Sequence, residues 1–381
     1  MKIKKISNDV DVKNIMQNLN VDRPGIKIMV KKAKLYLFYI KDMHIGAANI
    51  LKQDALSIGA DLALPNGVIT CKFKKCDALL IGTKKHIEIL SHKELAQPYG
   101  LKELAKELKR YLNEKSFKVK IMGVINANDD SFYPKSRFKG SLAKDAILKM
   151  IEDGADIIDI GGVSTRPGSD EVSEEYEFKR VKDIIDFIYK ERLYEKIVFS
   201  IDSFRAKVVE YALDRGFKIA NDITALEDNL MAEVVAKYGA KVVLMHKKGT
   251  PKTMQINPEY EDVVLEVSNF FEDRIKKALK FNIKKDNIIL DPGIGFGKTL
   301  NHNIELIKSL SDFKKFDCEI LVGASRKSMI DKIIKTPVEE RLPGTLAIHL
   351  KAIKEGASII RCHDVKEHKQ AILVQERLTL W

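Results

Sequence analysis

From residue 119 onward the chain repeats one pattern. A short apolar, β-branched run is followed by a longer stretch whose apolar positions recur with helical spacing. The runs are KIMGVIN (120–126), ADIIDIGG (155–162), KIVFSID (196–202), KIANDIT (218–224), KVVLMH (241–246), NIILDPG (287–293), EILVGAS (319–325) and ASIIRCHD (357–364). The stretches between them include LAKDAILKMIEDG and EEYEFKRVKDIIDFIYKE, and Gly154 closes the first as a helix C-terminal residue commonly does. Strands that are apolar almost throughout, each followed by a helix, imply a parallel sheet covered on both faces. Eight such units between residues 119 and 381 predict an α/β fold, a (β/α)8 TIM barrel. A doubly wound open sheet has the same alternation and stands as the alternative.

Residues 1–118 lack that rhythm. Strand-like KLYLFYI and DALLIGT and helical KELAKELKRYL predict a small N-terminal α/β domain, joined to a barrel over 119–381 by a lysine-rich linker helix near 101–116. His44, His86 and His92 are not spaced as metal ligands and take structural or surface roles.

Charge narrows the partners. The formal net charge is +12, from 66 Lys+Arg against 54 Asp+Glu, but the lysines are scattered among acids, as in KELAKELKRYLNEK. With no arginine-rich tail and no basic stripe interleaved with aromatics, nucleic acid is not the expected partner, whereas a small anionic substrate suits the excess. No run of about 18 apolar residues predicts a membrane span. The opening MKIKKISNDV has no apolar core of a signal peptide. Cys71, Cys76, Cys318 and Cys362 read as reduced thiols of a cytoplasmic protein.

In a barrel of this kind the active site lies at the C-terminal ends of the strands. Those ends carry Asn126, Asp159 with Thr165 and Arg166 beyond it, Asp202, Asn221 and Asp222, His246, Asp291, Arg326 and Lys327, and Arg361 and His363. Asp159, Asp202, Asn221 and Asp291 sit inside or against apolar runs, where an unpartnered polar group is costly. Together they describe a mouth that hydrogen-bonds a polar heterocycle. Arg166, Arg326, Lys327, Arg361 and His363 form a basic set suited to phosphate. DPGIGFGKT (291–299) fails the Walker pattern because Pro292 stands where a glycine is needed. It also fails the dinucleotide pattern, since its glycines run GxGxG. These glycines read as a tight loop bringing backbone close to a ligand.

On these motifs the barrel resembles dihydropteroate synthase. IMGVINANDDSF, GADIIDIGGVSTRPGS, SIDSFRAKVVEYAL, NDITAL, LMHKKGTPKTMQ, DPGIGFGKTLNHN, LVGASRKSMI and IIRCHDV occur in that family's order. The N-terminal part is similar to an extension carried by a subset of these synthases. The resemblance implies a dimeric barrel that joins 6-hydroxymethyl-7,8-dihydropterin diphosphate to p-aminobenzoate, releasing diphosphate with Mg²⁺. It implies that Asp202, Asn221, Asp291 and Lys327 hold the pterin, with Asp159 shaping the pocket, and that Asp291, Lys327 and Asp202 are catalytic. It implies that Asn126, Arg166, Arg361 and His363 hold the diphosphate, with Asn126 near the metal, and that Thr165 and Ser325 lie toward the arylamine. The chain departs from the family in its first loop, where Asn128, Asp129 and Pro134 replace the usual residues, and at Val163, where Glu is common. Three alternatives follow. The amine could be a ribofuranosyl-aminobenzene phosphate of tetrahydromethanopterin synthesis. The barrel could be a pterin-dependent corrinoid methyltransferase, or a pterin-binding paralogue without turnover.

Overall fold

In a computed structural model of the protein, the eight apolar runs close on one another as a parallel barrel. The structure describes residues 1–379 other than 9, 73, 113–114, 128–140, 164–171, 250–252 and 255. The chain divides into two compact units, Met1–Glu114 with Gln375–Trp381, and Lys115–Val374.

The first unit carries strands β1 (Leu35–His44), β2 (Asp61–Ala63) and β3 (Lys75–Thr83) in an antiparallel sheet of order β1-β3-β2. Its helices are α1 (Val12–Asn18), α2 (Arg23–Met29), α3 (Ile45–Ser57), α4 (Lys84–Lys93) and α5 (Leu101–Arg110). The two predicted strands are β1 and β3. The predicted linker helix is α5, and it is no free linker: Leu101 and Leu108 share a buried cluster with Leu51, Leu80 and Leu90. Apolar residues three and four apart gave α5 one sticky face, and the neighbouring helices cover it. His44 caps α3 through Nδ1, which accepts from the Gly46 amide (3.1 Å), and His86 Nδ1 accepts from the Thr83 amide. Glu94, just beyond α4, is fully buried beside Asp54 of α3, which pairs with Lys93 at 2.8 Å. Burial, then repulsion from Asp54, pushes the Glu94 carboxyl up to about 7.

The second unit contains β4 (Lys120–Asn126), β5 (Ile157–Gly161), β6 (Val198–Asp202), β7 (Ile219–Asp222), β8 (Lys241–Met245), β9 (Ile288–Asp291), β10 (Glu319–Val322) and β11 (Ile359–Cys362). They pair in chain order, and β11 returns to β4 to close the barrel. The helices are α6 (Ser141–Glu152), α7 (Glu174–Lys190), α8 (Ala206–Asp214), α9 (Asn229–Tyr238), α10 (Val263–Lys280), α11 (Leu300–Lys308), α12 (Ser328–Ile333), α13 (Leu342–Lys354) and α14 (Val365–Thr379), of which residues 375–379 fall in the first unit.

Strand residues alternate between barrel interior and helix layer. Met122, Ile157, Ile219, Val243, Ile289, Leu321 and Ile359 form an interior apolar cluster, one residue from each of seven strands. The neighbours Ile121, Ile158, Ala220, Val242, Leu290, Ile320 and Ile360 belong to the larger cluster under the helices. At the start of β10 the buried Glu319 takes Lys120 (2.5 Å) and Lys241, neutralising the end of the barrel where the strands begin. Two residues beyond the apolar layer, on the same inward face, stand Asp159, Asn221, Asp291 and Arg361. The strand period therefore delivers a polar layer directly on top of an apolar one.

Candidate active site

The polar layer is knit by one guanidinium. Arg361 of β11 donates from Nε to Asp159 Oδ2 (2.7 Å) and from Nη2 to Asp202 Oδ2 (2.8 Å). Asn221 Nδ2 donates to the same Asp159 oxygen at 3.0 Å. Residues from β5, β6, β7 and β11 thus meet at the centre of the mouth. Burial acts to lower the Arg361 pKa, but Asp159 and Asp202 outweigh it and hold the guanidinium above its ordinary value. Asp202 moves the other way: burial pushes its carboxyl up to about 7 despite Arg361, with Asp159, Glu177 and Asp291 adding repulsion. Carboxyl and carboxamide oxygens crowd together here, so N–H donors on a ligand find ready acceptors. Asp222, next to Asn221, is absorbed by its own loop, accepting from Thr224 N and Oγ1 and from Leu226 N.

Asp291 ends β9 and accepts from the Gly293 amide at 2.7 Å. Burial raises its pKa, opposed by that bond and by Lys327, Lys298 and Arg361. In the loop beyond, Gly293, Gly295 and Gly297 have φ of 66°, 86° and 66°. The expected reason for these glycines was close approach to a ligand, but the geometry gives another for two of them. A Cβ at Gly293 would lie 1.9 Å from the His246 carbonyl oxygen, and one at Gly297 2.3 Å from that of Lys248. The loop is pressed against the backbone leaving β8. Lys298, almost wholly buried, fastens it: Nζ lies 3.0 Å from His246 Nδ1, 3.1 Å from the Gly293 carbonyl and 3.0 Å from that of Phe296. Burial lowers Lys298 to about 7 and His246 to about 3. Lys327 Nζ reaches the same loop, donating to the Ile294 carbonyl at 2.5 Å and lying 4.6 Å from the Phe296 ring centroid. Burial lowers its pKa to about 8, opposed by the charge of Asp291.

A small cleft opens beside this lysine, lined by Ile294, Phe296, Leu300, Lys327, Ser328 and Met329 among others. Phe296 and Ser328 escaped the sequence reading. The aromatic residue inside the glycine motif was the available signal. Ser325, expected toward the arylamine, has its Oγ 2.9 Å from His363 Nδ1. Burial, and after it the charge of Arg361, lowers His363 to about 3 and keeps the imidazole neutral. Arg326 does not join the basic set: it is buried in a two-pronged pair with Asp364 (2.9 and 2.7 Å) and donates to the Val338 and Glu339 carbonyls. Asn126, half-buried, ends β4 opposite Gly161. Thr165 and Arg166, and the first-loop residues Asn128, Asp129 and Pro134, lie outside the described residues.

The pterin binding enzyme family model matches residues 122–363. Over 379 residues the chain is 39% identical to the bifunctional dihydropteroate synthase/dihydropteroate reductase of Helicobacter pylori, covering 99% of both chains. The chain belongs to the dihydropteroate synthase family. Among solved members of that family, a Yersinia pestis synthase in a sulfonamide drug complex superimposes with a TM-score of 0.66 at 37% identity, covering 68% of this chain and 94% of that one. A Xanthomonas albilineans dihydropteroate synthase solved with 4-aminobenzoic acid gives 0.62 at 35%, covering 68% and 93%. The solved synthases thus match about the extent of the barrel, whereas the Helicobacter relative also spans the N-terminal unit.

Proposed function

We propose that the barrel condenses 6-hydroxymethyl-7,8-dihydropterin diphosphate with p-aminobenzoate. The observation that carries this is the polar layer of Asp159, Asp202, Asn221 and Asp291 under Lys327, a set of acceptors for an N–H-rich ring within a barrel of this family. Asp202, Asn221 and Asp291 hold the pterin ring, and Asp159 orients Asn221 and Arg361 beneath it. The amine nitrogen attacks the methylene carbon. A C–N bond forms, the C–O bond to diphosphate breaks, and the amine gives up a proton. An arylamine is already nucleophilic, so positioning and charge do the work. Its ring lies in the Phe296–Met329 cleft. The Asp291 carboxylate favours positive charge building on the ring and methylene, while Arg361 and His363 face the departing diphosphate. With Nδ1 accepting from Ser325 Oγ, neutral His363 carries its proton on Nε2 as a donor to phosphate oxygen.

Mg²⁺ is compatible with the described donor set. Among the described residues no group of three or more His, Cys, Asp or Glu forms a metal site, so the ion would be carried by diphosphate oxygens and water, with the Asn126 amide oxygen as the protein contribution. When bound, it withdraws charge from the leaving diphosphate. The relatives described above are dihydropteroate synthases, which favours p-aminobenzoate over the phosphorylated amine and does not favour corrinoid methyl transfer or a paralogue without turnover. Diphosphate release on mixing the full chain with pterin diphosphate, p-aminobenzoate and Mg²⁺ tests the reading; no release with either substrate omitted is expected, and no release with all three refutes it. The family resemblance further supports a cytoplasmic homodimer, which sedimentation at micromolar concentration checks for the dimer. No helix among the described residues is long and apolar enough to cross a membrane.

The full-length match to a bifunctional relative supports a second activity, reduction of the dihydropteroate product. Consumption of a nicotinamide or reduced-flavin hydride donor by the full chain, dependent on added dihydropteroate, is the outcome that establishes it.

A further inference from the structure

We propose that His349 and His368 are positioning residues, two uncharged imidazoles in series that hold the turn presenting Lys327 to the substrate. His349 lies on α13 and His368 on α14, both 1% exposed. The Ala324 amide donates to His349 Nε2 at 3.0 Å. His349 Nδ1 lies 2.8 Å from His368 Nε2, and His368 Nδ1 lies 2.6 Å from the Asp364 carbonyl. Both ends of this chain are backbone groups with fixed roles: an amide can only donate and a carbonyl can only accept. One proton arrangement alone satisfies all three bonds, with each imidazole neutral and carrying its hydrogen on Nδ1. A second proton on either ring would break a bond.

The chain joins two loops that both carry site residues, Ala324–Lys327 after β10 and His363–Asp364 after β11. Two further ties run alongside it, Ser325 to His363 and Arg326 to Asp364. What they restrain is a strained turn. Arg326 has φ +54°, a left-handed conformation that is uncommon for any residue bearing a Cβ. Its amide donates to Thr345 Oγ1 of α13 at 2.9 Å, so the helix bearing His349 grips the turn twice. Lys327 is the next residue. Lys327, His363 and Arg326 bear on the imidazoles with charge or dipole, as do Asp364 and Glu367 from the α14 side.

The kinetic consequence rests on the reading of Lys327 as a pterin-binding residue; the proton arrangement does not. Ring-¹⁵N histidine spectra of the full chain test the arrangement first. Two of the eight histidines, assigned by their loss in His349→Gln and His368→Gln, are expected in the Nδ1–H form and untitrated between about pH 8 and 6. Nε2–H tautomers, or titration near about pH 6.5, overturn it. Steady-state kinetics test the consequence. His349→Leu is expected to raise KM for pterin diphosphate about tenfold. In His349→Gln the carboxamide oxygen can still accept from Ala324, and KM is expected to return to within about twofold. An unchanged pterin KM in His349→Leu, or equal defects in both variants, refutes the positioning role. Should the leucine variant not fold, the spectra of the unmodified protein still decide the arrangement. A protein that turns over no substrate but shows the two Nδ1–H imidazoles would separate failure of the synthase reading from failure of this one.

Discussion

Among the described residues Arg361 is the one cation bonded to both Asp159 and Asp202, and removing it leaves two buried carboxylates without their shared partner. Arg361→Met should destabilise the barrel by about 3 kcal/mol, read by chemical denaturation, because uncompensated buried charge dominates the loss. Asp291→Asn keeps the shape and the Gly293 bond but removes the charge, and should weaken pterin diphosphate binding by about 1.5–3 kcal/mol in calorimetry, with folding little changed. Asp202 adds a pH signature. Its carboxyl is pushed up to about 7 in the free protein, and ligand N–H donors favour the ionised form. Pterin affinity should therefore fall as pH drops below that value, with protons released on binding, which calorimetry in buffers of different ionisation heat measures. These residues were legible because each interrupts or ends a near-continuous apolar run with a polar side chain. Arg326 was misplaced because its partner, Asp364, lies 38 residues away, and no local pattern distinguishes a guanidinium facing the mouth from one turned to another loop.

The loop after β9 separates two kinds of glycine. Gly293→Ala drives a Cβ into backbone that cannot yield and should abolish pterin binding and lower the melting temperature markedly. At Gly295 a new Cβ meets only the flexible end of Lys327 at 3.4 Å, so Gly295→Ala should cost about 1–2 kcal/mol from its φ alone. Thermal melts of both variants check the ordering. The spacing of the glycines and the existence of a tight turn could be read directly. Their purpose could not, because it depends on how closely β8 and β9 run, a property of the closed sheet. All eight barrel strands were readable for the reason that they are short, apolar and separated by amphipathic helices. The short β2 was not, since Asp61–Ala63 shows no alternation of its own and exists by pairing with β3.

Across the whole molecule, buried titratable groups pull stability in opposite directions. His246, His349, His363 and His368 are all held below their ordinary pKa, chiefly by burial. The unfolded chain takes up protons near about pH 6.5 that the folded one refuses, so their stabilisation is lost as pH falls below that value. Asp202, Asp222, Asp291, Glu94 and Glu177 are raised, so the folded state keeps protons that the unfolded chain releases, and stability erodes as pH rises from about 4 through 7. Glu94→Gln should accordingly stabilise the N-terminal unit by about 1 kcal/mol at pH 8 and much less at pH 5, seen as a pH-dependent gain in melting temperature. The seam between β4 and β11, where Ile359 to Cys362 pair with Lys120 to Gly123, carries a different consequence. On the ribosome, β4 waits with one apolar edge open until β11, the last of the eight barrel strands, emerges. The nascent barrel is thus a sticky, unfinished sheet for most of its synthesis. Cellular yield should depend on chaperone capacity, and a stop codon just before β11 should produce aggregates rather than a weakened enzyme.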